Sequence, residues 1–110
     1  MAHPGDPAAL DAAARHINHH ADDLRARACR LAAAADGVRW HSTAAVEFRR
    51  DVRGLAGGFR RAADKVDDAA DALRRHAATV RQVRAAIRAT EHAAASAVHG
   101  IEHAAHVLGL

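Results

Sequence analysis

Two apolar repeats of seven run along this chain, separated by a short interruption near residue 40. In the first, Leu10, Ile17, Leu24 and Leu31 recur at sevens, with Ala14, Ala21, Ala28 and Ala35 four residues after each. Those spacings put all eight on one narrow helical face, so the pattern predicts an amphipathic helix whose buried stripe alternates large and small side chains. In the second, counting position a from Ala45, the series Val52, Phe59, Val66, Leu73, Val80, Ile87, Ala94, Ile101 and Leu108 is apolar throughout. The d positions, Phe48, Leu55, Ala62, Ala69, His76, Val83, Thr90, Ala97 and Ala104, are apolar at seven of nine. A frame sustained this long predicts a second, longer helix with a coiled-coil-like a and d seam. No stretch alternates apolar and polar residues for a useful length, so the class is all-α.

The ends of the helices are marked as well. Asp6-Pro7 combines an N-cap acid with proline at the first helical position, where the missing N–H costs nothing. Asp36-Gly37 predicts a stop with glycine in a left-handed conformation, and Ser42 is a good N-cap for the next helix. The expected elements are a helix over about 7–36, a bend over 37–42 and a helix from about 43. Gly54, Gly57 and Gly58 lie off the seam and are expected to let the first helix come close without stopping the second.

Together these elements predict an antiparallel helical hairpin with a length mismatch. The first helix spans roughly 43 Å and the second pattern up to about 95 Å at 1.5 Å per residue. Folded straight back, the first helix covers the second only to about residue 70. The seam beyond it then needs either a second chain or a fold-back near Gly100; with no Gly or Pro over 59–99 a second chain is expected, and Leu73, His76, Val80, Val83 and Ile87 form the expected partner interface, with His76 a partly buried polar residue that sets register. Pairing of two chains would complete a four-helix bundle or coiled coil.

The interruption reads Arg39-Trp40-His41-Ser42-Thr43-Ala44-Ala45-Val46-Glu47-Phe48 and holds the only tryptophan. A large aromatic at a helix–helix bend fills the gap where the helices diverge, so Trp40, His41 and Ser42 are the expected bend motif, with Trp40 as its plug. This order of helix, bend, Trp-x-small, Ala-Ala and Phe resembles the WXG-motif family, small helical-hairpin proteins of type VII (ESX) secretion systems. Gly5-Asp6-Pro7-Ala8-Ala9-Leu10 and Ala72-Leu73-Arg74-Arg75-His76-Ala77 look like further landmarks of the family, and the resemblance covers roughly residues 5 to 88. Ser42 stands where the name-giving glycine would be.

The resemblance implies a non-enzymatic protein that is secreted by a type VII system, or that acts as partner or chaperone for such a substrate. Export would follow folding in the cytoplasm and use a non-Sec route. The implied partners are a second copy or a similar small helical protein, and the system's ATPase. Family members often carry a Tyr-x-x-x-Asp/Glu export signal after the second helix, but this chain has no tyrosine. Ile87-x-x-x-Glu91 and Val98-x-x-x-Glu102 keep the acid without the ring.

Composition narrows the picture further. With 110 residues, half of them apolar but only 3% aromatic, the chain supports one domain with a thin core, ill suited to an enclosed pocket. The formal charge of +3 raises a second reading, a cytoplasmic helical module that docks on nucleic acid or an acidic protein through an Arg-rich face. Against nucleic acid, bases and acids interleave as on a solvated helix face, and no basic stripe carries aromatics. Cys29 is the only cysteine, which excludes an internal disulfide. No charged-then-apolar leader begins the chain, and no run is long enough to span a membrane.

Composition changes at Arg88. Residues 1–88 carry a formal +5 and 89–110 carry −2, which divides the chain into a hairpin domain and a histidine-containing helical extension free to fray. His99-Gly100-Ile101-Glu102-His103 formally matches a zinc-protease pattern, but a third ligand and a cleft are missing, so no catalysis, cofactor or dedicated metal site is expected. His99, His103 and His106 are at most weak metal candidates. His92, His99 and His106 fall at f, away from the seam. His16 and His20, four apart on the first helix, are expected to be solvated.

Overall fold

A computed structural model describes residues 5–39 and 41–109. Two helices account for nearly all of them: α1 spans Pro7–Asp36 and α2 spans Thr43–Val107. They form one antiparallel hairpin, a rod of 101 × 21 × 14 Å. Among the described residues there is no strand.

The caps follow the chemistry of the chain ends. Ser42, in extended conformation, accepts a hydrogen bond from the Ala45 N–H at 3.1 Å through its Oγ and so opens α2. Proline begins α1, but the Asp6 carboxylate makes no capping bond; its Oδ1 instead pairs with Arg84 at 2.9 Å. Gly37 has φ −74° rather than the left-handed value expected of it. Its N–H still reaches the Ala33 carbonyl at 3.0 Å, so the last turn closes in right-handed geometry.

The registration of the hairpin is set by alanine. Ala14, Ala21, Ala28 and Ala35 on α1 and Ala56, Ala63, Ala70 and Ala77 on α2 are 0–1% exposed, and among the described residues no larger side chain is fully buried. Ion pairs tie Asp6 to Arg84, Asp11 to Arg81, Arg25 to Asp64 and Asp67, and Asp36 to Arg53. That ladder puts Ala14 level with Ala77, Ala21 with Ala70, Ala28 with Ala63 and Ala35 with Ala56. Facing methyls let the axes approach near the lower end of the usual range of about 8–10 Å. Each adds only about 0.8 kcal/mol of burial, so the seam gives precise registration and modest stability.

This register corrects two expectations. The seam of α2 runs through position e, where the alanines lie, and not between a and d. Val52, Phe59, Val66, Leu73 and Val80 at a are half-buried at its flank, while Phe48, Leu55, Ala62, Ala69, His76 and Val83 at d are exposed. Furthermore, α1 covers α2 to Arg84, not to residue 70. A straight fold-back would set the alanines of α1 against Val52, Phe59 and Val66, which are too bulky for close approach. Matching alanine to alanine slides α1 along α2, so residues 43–54 overhang its C-terminal end. The linker spans that offset, and the Arg49 guanidinium donates to the Val38 carbonyl at 2.9 Å.

Gly54, Gly57 and Gly58 do not admit α1. A Cβ at Gly54 would meet nothing within 4 Å, and at Gly57 or Gly58 only the Arg61 side chain, so all three look outward. At the other end, α2 crosses Arg88 as one unbroken helix to Val107. The change in composition there marks no break in secondary structure.

Candidate functional site

Helical geometry sorts the rest of the surface into two faces. At about 100° per residue, a residue four before a seam alanine lies about 40° to one side of it, and a residue three before lies about 60° to the other. In both helices the first of these positions is large and apolar, and the second is polar except at Ala32. Equivalent positions of two antiparallel helices fall on the same side of the plane containing them, so Leu10, Ile17, Leu24 and Leu31 join Val52, Phe59, Val66, Leu73 and Val80 on one face. Leu31 and Phe59 indeed line a common surface depression, edged by Arg27 and Arg30. The exposed Phe48, Leu55 and Val83 widen this face, and Ile87 extends it past the end of α1.

The opposite face is a polar ladder. Arg81 pairs with Asp11, Arg74 donates to the Asn18 carbonyl oxygen, and the Asn18 amide donates to Asp67 Oδ1 at 2.6 Å. Arg25 bridges Asp64 at 2.9 Å and Asp67 at 2.6 Å. The Arg25 guanidinium, and secondly the Asn18 amide, hold the Asp67 carboxyl below its ordinary range, while the two aspartates raise Arg25. Exposed pairs of this kind contribute little individually; their effect is to set which way the hairpin opens and in what register. Because the Asp67 pKa is lower folded than unfolded, its contribution is present above the unfolded value of about 3.9 and is lost as pH falls through the folded value. Thermal melts followed by circular dichroism should therefore shift downward below about pH 4. Asp67→Asn should flatten that part of the profile.

Placement of the sequence-derived site residues is mixed. Ser42 caps α2, His41 is exposed beside it, and the expected plug Trp40 lies outside the described residues. Val38, Ala45 and Phe48 line an apolar groove with Ser42 at the bend. Within the expected partner interface, Leu73 and Val80 are half-buried against α1, whereas Val83 and Ile87 are each 52% exposed. His76 is exposed, not partly buried, because d points away from the alanine seam. His99, His103 and His106 are exposed along the end of α2. Among the described residues no three His, Cys, Asp or Glu side chains converge on a point that would hold a metal. His16 and His20 touch edge to face, with ring centroids 4.8 Å apart. Cys29 is free and exposed.

A two-helix hairpin with an aromatic bend, a small N-cap in the third motif position and one apolar face matches a known family over residues 5–85, that of proteins of 100 residues with WXG. The chain belongs to the WXG100 family. Neither a curated protein nor a solved structure matches it. WXG100 proteins are small helical secreted proteins of the type VII substrate kind, exported by a non-Sec route, not known as enzymes and typically paired with similar small proteins. Among the described residues no helix is long and apolar enough to cross a membrane. The family match stops at residue 85, just where α1 runs out, so the rest of α2 lies beyond it.

Reasoning from α2 alone missed the contribution of α1 to the apolar face. The signal was present: a large residue followed four later by alanine recurs in both helices, and that shared offset is what puts both rows on one side.

Proposed function

We propose that this WXG100 protein is a non-enzymatic substrate, or partner of a substrate, of a type VII secretion system, exported as a folded pair. The observation that carries this is the apolar face. Its leucines, valines and phenylalanines are half-buried or exposed, and among the described residues only alanines are fully buried. A contiguous surface of that kind marks a protein–protein contact, and a second hairpin laid face to face would complete a four-helix bundle. Leu73, Val80, Val83 and Ile87 then belong to the interface together with the leucines of α1.

The export signal would come from the partner. This chain has no tyrosine to supply the ring of the family's signal, and a pair recognised as one unit by the secretion ATPase needs a single copy. Expression in a host with a working type VII system should therefore give protein in the culture filtrate when a neighbouring small helical gene is co-expressed. Efficient secretion of the chain alone would sink the partner-signal reading.

One observation favours a second reading. Residues 25–66, which form the bend half of the hairpin, hold ten basic and four acidic side chains, a formal +6. Such a surface suits docking on an anionic partner in the cytoplasm, with affinity that falls steeply with salt. Absence of secretion with and without the neighbouring gene, together with salt-sensitive binding, would support that role.

A further inference from the structure

Four residues are slightly more than one helical turn, so His16 and His20 of α1 stand about 6 Å apart along the axis and about 40° apart around it. Both are exposed, and their rings touch edge to face, with centroids 4.8 Å apart and an interplanar angle of 83°. His16 lies about 160° around α1 from the seam alanine Ala14, and His20 about 100° from Ala21, so the pair is turned away from α2. Neither ring belongs to the polar ladder or to the row of leucines.

We propose that His16 and His20 form a two-histidine chelate for a divalent late-transition-metal ion such as Zn²⁺, with water completing the coordination. Imidazole is the commonest protein ligand for such ions, and histidines at i and i+4 on one helix face reach a single metal together. A Zn–N bond of about 2.05 Å plus the half-width of the ring sets the metal about 3.2 Å from each ring centroid. Ligand angles of about 90–109° then require centroids about 4.5–5.2 Å apart. The observed 4.8 Å falls inside that range, which leaves only ring rotation to aim the nitrogens. Two protein ligands make an open site, unlike a converging three-donor cluster, which the described residues lack.

The surroundings favour this pair in two ways. One is charge. The residues three or four positions from either ring are Ala12, Ala13, Ile17, His19, Asp23 and Leu24. In a chain of formal charge +3, no Arg or Lys occupies a neighbouring position on this face, and Asp23 adds a negative charge. The other is support. Ala14 and Ala21, both 0% exposed, fix this stretch of α1 on α2, so the spacing of the two histidines is set before a metal arrives. His99 and His103 have the same spacing but lie on the length of α2 beyond Arg84, where α1 gives no support.

Zinc titration of the untagged full-length chain tests this, with the histidine ring nitrogens followed by long-range proton–nitrogen NMR at about pH 7.5, since metal and protons compete for imidazole. His16 and His20 should respond together, at lower zinc than His99 and His103. His20→Ala should keep the helix, because the position is exposed and alanine is the better helix former. It should nevertheless move the response of His16 to about tenfold higher zinc or more, the loss of one of two ligands. His99→Ala with His103→Ala should leave that response where it was. Because both ligands come from one helix, the outcome does not depend on whether the chain pairs or is secreted. A His16 response at the same zinc concentration with and without His20 would mean that the histidines bind singly, and would exclude the chelate. A titration in which His99 and His103 respond first would overturn it as well.

Discussion

Ala63→Leu should be strongly destabilising, while Ala62→Leu, one residue away, should leave the monomer unchanged. Ala63 is 0% exposed and level with Ala28, itself 0% exposed, so added methylenes have no space unless the helix axes separate. Overpacking of this kind costs about 1–3 kcal/mol. In a seam whose individual contacts are methyl on methyl, separation at one level also loosens the levels above and below. The expected loss is therefore toward the upper end of that range, and Ala28→Leu combined with Ala63→Leu should be worse than either alone. Ala62 is exposed, so leucine there enlarges the apolar face and should, if anything, tighten pairing. Urea unfolding at low protein concentration measures the first effect and sedimentation the second. Equal destabilisation at both positions would mean that the helices pack through a and d after all.

Val83→Glu with Ile87→Glu should convert the pair to a monomer without unfolding it. Both side chains are about half exposed, so neither stabilises the hairpin much, yet each would lie in the interface between copies. A carboxylate buried there without a partner costs several kcal/mol, and the two substitutions occur twice in a symmetric dimer. The dissociation constant should rise by at least two orders of magnitude, since every loss of about 1.4 kcal/mol is tenfold. Sedimentation would then report 11.6 kDa rather than twice that mass. Helicity of residues beyond Arg84 should fall, because α1 does not support them. A variant that still dimerises would exclude this end of α2 from the interface and leave the leucines of α1 as the pairing surface.

Both experiments depend on which alanines face which, and that shows where a linear pattern stops being informative. Periodicity states which residues share a helical face. It does not state which of two adjacent stripes faces the neighbouring helix, since a and e differ by only about 40°. In α2 the larger residues at a drew attention to an a and d seam, but close approach of two helices is governed by the smallest side chains available to both. His76 illustrates the consequence. At d of an assumed seam it is a buried polar residue, and about 100° away from the real one it is solvated.

The sequence alone determined the class, the Ser42 cap and the family. Seven-residue repeats, the proline after Asp6, Ser42 before Thr43 and the motif around Trp40 are local or strictly periodic, so they are readable without knowing what lies opposite. Only the tertiary structure decided the register, and with it two things: that α1 reaches Arg84, and that the leucines of α1 and the valines of α2 make one face. These are properties of two helices considered together. The offset between them follows from matching alanine to alanine across the seam, a preference that exists only when both surfaces meet.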